Sequence, residues 1–176
     1  MKAALEMEYI AYEKCVTLET ALPEACSLRG NTDYLQRIVS SLLENALKYE
    51  PAGGRVQLTL TQDKRRGQLS VQNFGSAIPA EDLPHVFDRF YRSDKSRKSE
   101  SGSFGLGLAI TMEMVEKLGG EISVSSSAED GTVFQVILCR WTAEKELSLT
   151  RKLLCYAAGW LDGQCSALVG QAFVHS

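Results

Sequence analysis

Residues 102–110 read GSFGLGLAI, three glycines in six positions followed at once by an apolar, helix-like pattern. Glycine loses the most conformational freedom on folding, so it is costly inside a helix. Its use at a helix mouth is to bring backbone N–H groups close to a ligand, and helix N-termini favour anions. The chemistry on offer is the cradling of phosphate oxygens, with tight helix packing or a flexible linker as the structural alternatives. The familiar glycine motifs do not fit. No Lys-Ser or Lys-Thr follows Gly107, as a P-loop needs. The preceding SDKSRKSESGS is polar and unlike the strand that feeds a dinucleotide fingerprint. Neither H-R-D nor D-F-G occurs, which excludes a Ser/Thr-type protein kinase.

A second candidate lies in residues 33–49. Leu35, Ile38, Val39, Leu42, Leu43, Ala46 and Leu47 follow the helical i, i+3, i+4, i+7 pattern. Ser41, Asn45 and Lys48 fall together at one border of that apolar arc, with Tyr49 just inside it and Glu44 just beyond. Asparagine is mildly unfavourable within a helix because its amide competes for backbone hydrogen bonds. Its place at the edge of a core stripe, a turn before a lysine, invites a functional reading. The competing structural reading is a tolerated boundary residue beside a favourable Glu44–Lys48 pair.

The elements that must position these residues follow from the same patterning. CVTLETALP and ACSLRGN read as short strands, and Asn31 or Thr32 caps the helix that begins near Asp33 and ends before Pro51. RVQLTLTQ and GQLSVQN alternate like paired strands joined by DKRRG. The glycine-opened helix closes at Lys117 with a Gly119-Gly120 cap, and EISVSS with GTVFQVIL forms a final strand pair. The expected fold is an α/β (α+β) two-layer sandwich, a mixed and mostly antiparallel sheet with helices on one face. Residues 1–141 form the patterned domain, and residues 142–176 are a tail of no assigned role.

Composition narrows the class. A net charge of −3 gives no hint of nucleic-acid binding. The low-charge stretch from Leu153 to Phe173 is interrupted by Asp162, Gln164, Gln171 and glycines and makes a poor membrane span; no signal peptide is visible. Five cysteines, an odd number without C-x-x-C, argue against a disulfide framework or zinc site and fit a reducing cytoplasm.

Five stretches then occur in order: SLLENALKYEP, VQNFGSAIP, FDRFYRSDKSR, GSFGLGLAI and GTVFQV. Together they resemble the ATP-binding catalytic domain of bacterial sensor histidine kinases, the Bergerat-type fold shared with gyrase-like ATPases. The resemblance covers about Val16 to Leu138. It implies that Asn45 coordinates Mg²⁺ through its amide oxygen, that Lys48 meets phosphate oxygens and that Tyr49 lines the adenine pocket. Glu44 stands where the family carries an acid that polarises the acceptor imidazole. Phe87 and Phe90 of the F box would anchor a mobile ATP lid, the polar run Ser93 to Ser101. Arg92 and Arg97 would neutralise developing phosphoryl charge. Gly105, Leu106, Gly107 and Leu108 would meet the triphosphate, and Asn73, Gly75, Ala77, Ile78 and Thr132 would surround the base.

Some positions depart from that pattern. Ser41 stands where ATP-hydrolysing relatives carry a water-activating Glu, which argues for transfer to a protein. Asn73 replaces the Asp that accepts from the adenine amine, and Ala77 replaces a glycine. An amide oxygen still accepts that bond and its NH₂ donates to a ring nitrogen, but charge assistance is lost. Ser103 stands where a glycine is common. The implied reaction is Mg²⁺-dependent transfer of the ATP γ-phosphoryl group to a histidine on a separate helical hairpin, upstream of a response regulator. The only histidines, His85 and His175, lie outside any acceptor-like box. With fewer than twenty residues before the first predicted strand, the chain reads as an excised, monomeric catalytic domain of a membrane-anchored sensor. Two rivals are a degenerate regulatory nucleotide-binding module and an anti-sigma-factor-type serine kinase, which should lack the F box.

Overall fold

The computed structural model describes residues 2–23, 31–63, 65–92 and 105–139. Five strands form one mixed sheet: β1 (Thr17–Ala21), β2 (Arg55–Gln62), β3 (Arg66–Asn73), β4 (Glu121–Ser127) and β5 (Gly131–Cys139), in the order β1-β2-β3-β5-β4. β1 runs parallel to β2, and every other pairing is antiparallel. The strands alternate, so one face carries Val56, Leu58, Leu60, Leu69, Val71, Phe134, Val136 and Leu138, all buried. Three helices share that core: α1 (Lys2–Glu13), α2 (Thr32–Tyr49) and α3 (Gly107–Lys117). The two-layer arrangement matches the sequence expectation. The strand expected in ACSLRGN and the tail lie outside the described residues.

Helix α2 starts where its chemistry says it should. Asn31 Oδ1 accepts from the N–H groups of Asp33 and Tyr34, at 2.8 and 3.3 Å, satisfying two of the first-turn donors. Its stripe from Leu35 to Leu47 is almost fully buried. At its far end Lys14 Nζ donates to the Leu47 carbonyl at 2.8 Å, a cation at the negative end of the helix. That lysine follows α1, an element for which the sequence reading gave no assignment. Among the described side chains of α1, Met7 and Ala11 are buried, Ile10 is half-buried beside them, and Tyr12 is 82% exposed. The β2–β3 turn is closed by Asp63, whose Oδ1 accepts from the N–H groups of Arg65 and Arg66. These bonds hold its carboxyl below the usual value.

The C-cap of α2 is Glu50, a carboxylate only 7% exposed. It accepts from the Phe74 N–H at 2.6 Å and from the Arg55 N–H at 3.2 Å, beyond the end of β3 and at the start of β2. A Cβ on Gly54 would collide with this carboxylate, so any larger residue there would displace the Glu50 side chain. One side chain therefore ties the end of a helix to two strands. Glu50→Ala strands two donors in a buried setting and should lower unfolding free energy by about 2–4 kcal/mol. Glu50→Gln, which keeps one acceptor, should cost less. Urea denaturation of the three proteins checks the order; equal stability of Glu50→Ala and the native chain would remove this role.

Candidate functional site

The end row of the buried sheet face changes chemistry as it crosses the sheet. Leu18 pairs with Val56, Val56 with Asn73, Asn73 with Thr132, and Thr132 with Ser126. Two apolar positions are thus followed by three polar ones, and Asn73 and Thr132 are each only 3% exposed. Polar groups taken from water must be paired. Thr132 Oγ1 and Ser126 Oγ are hydrogen-bonded at 2.7 Å, and Ser126 Oγ accepts from the Ile78 N–H at 2.9 Å. Asn73 has no such arrangement. Its Nδ2 is buried without a hydrogen-bond partner among the described residues.

Two glycines bring backbone up to this amide. A Cβ on Gly75 would collide with the Tyr49 carbonyl and stand 3.4 Å from Asn73 Nδ2. A Cβ on Gly131, at φ +72°, would collide with the Asn73 carbonyl. The loop after β3 therefore passes directly beneath the last turn of α2. Ala77 and Ile78, further along it, are half-buried.

α2 contributes the charged side of the site. Asn45 and Lys48 are half-buried at the border of its apolar stripe, Tyr49 is 45% exposed and Glu44 is exposed. Lys48 Nζ lies 5.3 Å from the centre of the Tyr49 ring. Partial burial, and then the guanidinium of Arg92, hold the Lys48 ammonium below its ordinary pKa. Two cationic side chains from separate elements thus share one region, a setting that an anion relieves.

Helix α3 is pinned against α2 by hydroxyls. Thr111 Oγ1 lies 2.9 Å from both Ser41 Oγ and the Gly107 carbonyl, and Ser41 Oγ reaches the same carbonyl at 3.5 Å. The N-cap residue of α3, Leu106, makes no side-chain cap bond, and a helix N-terminus favours an anion. Gly105 adopts φ +69°, and a Cβ there would stand 2.7 Å from the Tyr91 carbonyl. The Phe90 N–H donates to the Gly105 carbonyl at 3.0 Å. This clasp joins the described residues on either side of positions 93–104.

The F box divides its work between side chain and backbone. The Phe87 ring packs edge-on against Phe134, 6.2 Å between centroids. Phe90 holds Gly105 through its backbone at φ +66°, while its ring is 70% exposed. Arg89 is ion-paired with Glu113 of α3, and Tyr91 Oη donates to Asp82 Oδ1 at 2.6 Å. His85 is exposed and bonded to Asp88. Leu106 and Leu108 are half-buried at the start of α3.

Most of the residues singled out in the sequence are thus gathered around the space between α2, α3 and the polar end of the sheet. Arg97, Ser103 and the lid from Ser93 to Ser101 lie outside the described residues. Three participants were not singled out: Glu50, Thr111 and Ser126. Ser126 had a signal, because it occupies the inward phase of the alternating strand that begins Ile122, Val124. An open hollow of about 400 Å³ is lined by Thr17, Glu19, Glu50, Arg55 and Phe74.

Residues 30–141 match the family described as histidine kinase-, DNA gyrase B- and HSP90-like ATPases. The chain is 39% identical over 109 residues to the sensor histidine kinase RppB of Synechocystis sp., covering 62% of this chain and 24% of that protein. It is 40% identical over 114 residues to the sensor histidine kinase YcbM of Bacillus subtilis, covering 65% and 37%. The chain therefore spans well under half the length of these relatives. Among solved structures, the mycobacterial sensor histidine kinase MprB superposes with a TM-score of 0.67 at 28% identity, over 81% of this chain and 96% of that one.

The depressed pKa of Lys48 has a definite sign. The folded chain disfavours the protonated form, so this burial costs stability below the folded pKa, and the cost is relieved as pH rises through it toward the ordinary 10.5. A polyphosphate seated beside the ammonium reverses the preference. Inorganic triphosphate should accordingly bind with proton uptake in alkaline buffer, and its affinity should fall as pH rises further. Lys48→Met should flatten this alkaline limb. Calorimetry in buffers of different ionisation enthalpy reads the proton directly, and a limb unchanged in the variant would exclude Lys48 as the anion's partner.

Proposed function

The chain belongs to the family of histidine kinase-, DNA gyrase B- and HSP90-like ATPases, and from that membership we propose that it is the ATP-binding catalytic domain of a two-component sensor kinase. In this reading it transfers the γ-phosphoryl group of ATP to a histidine on a separate helical hairpin, from which a response regulator is served. One observation carries the proposal. A polar end row on an otherwise apolar sheet face, with an orphaned amide in it, lies under a helix that presents Asn45 and Lys48, beside an uncapped glycine-opened helix.

The roles follow from position. Asn73 reads the base edge, Gly75, Ala77 and Ile78 form the loop that borders it, and Tyr49 and Thr132 flank it. Lys48, Gly105, Leu106, Gly107 and Leu108 surround the phosphates, with Arg92 and Arg97 supplying further positive charge as the γ-phosphoryl group moves. Glu44, exposed beside Asn45, accepts the distal ring N–H of the incoming imidazole and so orients its free nitrogen toward the γ-phosphorus. The N–P bond forms as the bond to the β–γ bridging oxygen breaks, and ADP leaves.

The donor set fits magnesium. No cluster of three or more His, Cys, Asp or Glu side chains occurs among the described residues. A cation held here takes most of its oxygens from phosphates and water, which is the habit of Mg²⁺. Asn45 would hold it through the amide oxygen. When bound, Mg²⁺ neutralises phosphate charge.

Two details favour transfer over hydrolysis by water. Ser41 carries no carboxylate, and its hydroxyl is engaged with Thr111. The F box, with Phe87 packed on Phe134, weighs against an anti-sigma-type serine kinase. No helix among the described residues is long and apolar enough to cross a membrane. We place the domain on the cytoplasmic side of a membrane-anchored sensor.

Incubated with γ-labelled ATP, Mg²⁺ and an acceptor-histidine hairpin from a sensor kinase, the chain should place acid-labile label on the hairpin and none on its own His85. Transfer should be slow because no tether raises the effective concentration. Asn45→Ala should reduce it by about 100-fold. Label on His85, or full transfer by Asn45→Ala, would contradict the proposal.

A further inference from the structure

The orphaned amide of Asn73 bears on which purine the site takes. Asn73 is almost fully buried at 3% exposure, and its Nδ2 has no hydrogen-bond partner among the described residues. Its neighbours in the sheet row do not pin it. Val56 on one side is apolar, and Thr132 on the other is hydrogen-bonded to Ser126. Gly75 lets the loop backbone pass close by, against the Tyr49 carbonyl, with its Cβ position 3.4 Å from Nδ2. A buried amide left unpaired by its own chain is a poor arrangement unless a ligand completes it.

We propose that Asn73 makes this site permissive at the purine 6-position, so that the chain takes 6-oxopurine nucleoside triphosphates such as GTP alongside ATP. The inference rests on the nucleotide-binding reading above. A side-chain amide carries one acceptor and one donor pair, and a half-turn about its last torsion exchanges them. Facing adenine, Oδ1 accepts from the 6-amino group and Nδ2 donates to N1. Facing guanine, Nδ2 donates to O6 and Oδ1 accepts from N1–H. Both pairings are complete, and nothing among the described residues holds the amide in one orientation.

Discrimination between such bases arises when the wrong one leaves a buried polar group unpaired or sets two acceptors against each other. A carboxylate here only accepts, so it would set an acceptor against O6 of guanine or against N1 of adenine and would not separate the two bases. The amide sets none against either. Asn73→Leu, which keeps the size of the side chain and removes both polar groups, should therefore weaken ATP and GTP alike.

The test is calorimetric titration of the whole chain and of Asn73→Leu with ATP and with GTP in the presence of Mg²⁺. The native chain should bind the two within about tenfold of each other, and Asn73→Leu should weaken both by about tenfold or more. Should Asn73→Leu fold poorly, the native chain supplies a second readout: the Asn73 side-chain NH₂ resonances in a ¹⁵N spectrum should move on addition of either nucleotide. ATP binding with GTP excluded, a folded Asn73→Leu that leaves either affinity unchanged, or NH₂ resonances that respond to ATP alone would overturn the inference while leaving the nucleotide site standing. Failure of the native chain to bind any nucleotide would overturn both.

Discussion

The carboxylate of Glu50 sets the geometry on which the rest of the site depends. A helix that ends above a sheet must be fixed in height and in rotation before its side chains can face the strands usefully. Glu50 does this by closing α2 and accepting from the start of β2 and from the loop leaving β3. Because it is 7% exposed, its charge-assisted bonds are shielded from competition by water. Gly54 beneath it and Gly75 beneath the Tyr49 carbonyl are the close approaches this arrangement requires. Asn45 and Lys48 on α2 are thereby held in a fixed relation to Asn73 on the sheet.

The second fixed relation is between α2 and α3. It is made by small hydroxyls, Ser41 and Thr111, around the Gly107 carbonyl. Close helix approach of this kind needs small side chains, which is one physical use of Ser41. The clasp from Phe90 to Gly105 then joins the described residues on either side of positions 93–104. Phe87 roots that clasp in the core through Phe134. Base end, phosphate end and clasp are thus referred to one hydrophobic core.

Much of this was legible in the sequence, for identifiable reasons. α2 carries a full apolar stripe and a side-chain cap at Asn31, both local features, so its bounds and its polar border were readable. The strand pairs alternate cleanly, and the glycines near Gly105 and Gly107 gained their meaning from the other four stretches that accompany them in order. What escaped depends on partners distant in the chain. Glu50 reads as an ordinary charged residue before Pro51, and its burial is explained only by Phe74, which lies 24 residues away. α1 intersperses its buried Met7 and Ala11 with exposed Tyr9 and Tyr12, and large aromatic residues outside the apolar line blur its periodicity. The manner of the Phe90 contact was not readable either, since it is made by the backbone N–H of a residue at positive φ while the ring is exposed.

The central claim is that one nucleotide spans the site, with its base on the Asn73–Thr132 row and its phosphates between Lys48 and the N-terminus of α3. A crystal structure of the chain with a non-hydrolysable ATP analogue and Mg²⁺ tests it most directly. The account predicts the purine edge within hydrogen-bonding distance of the Asn73 amide, phosphate oxygens within reach of the Lys48 ammonium, and the Glu50 bonds to Arg55 and Phe74 intact. A nucleotide seated instead in the hollow between Thr17, Glu19, Arg55 and Phe74, with the Asn73 amide still unpaired, would contradict it.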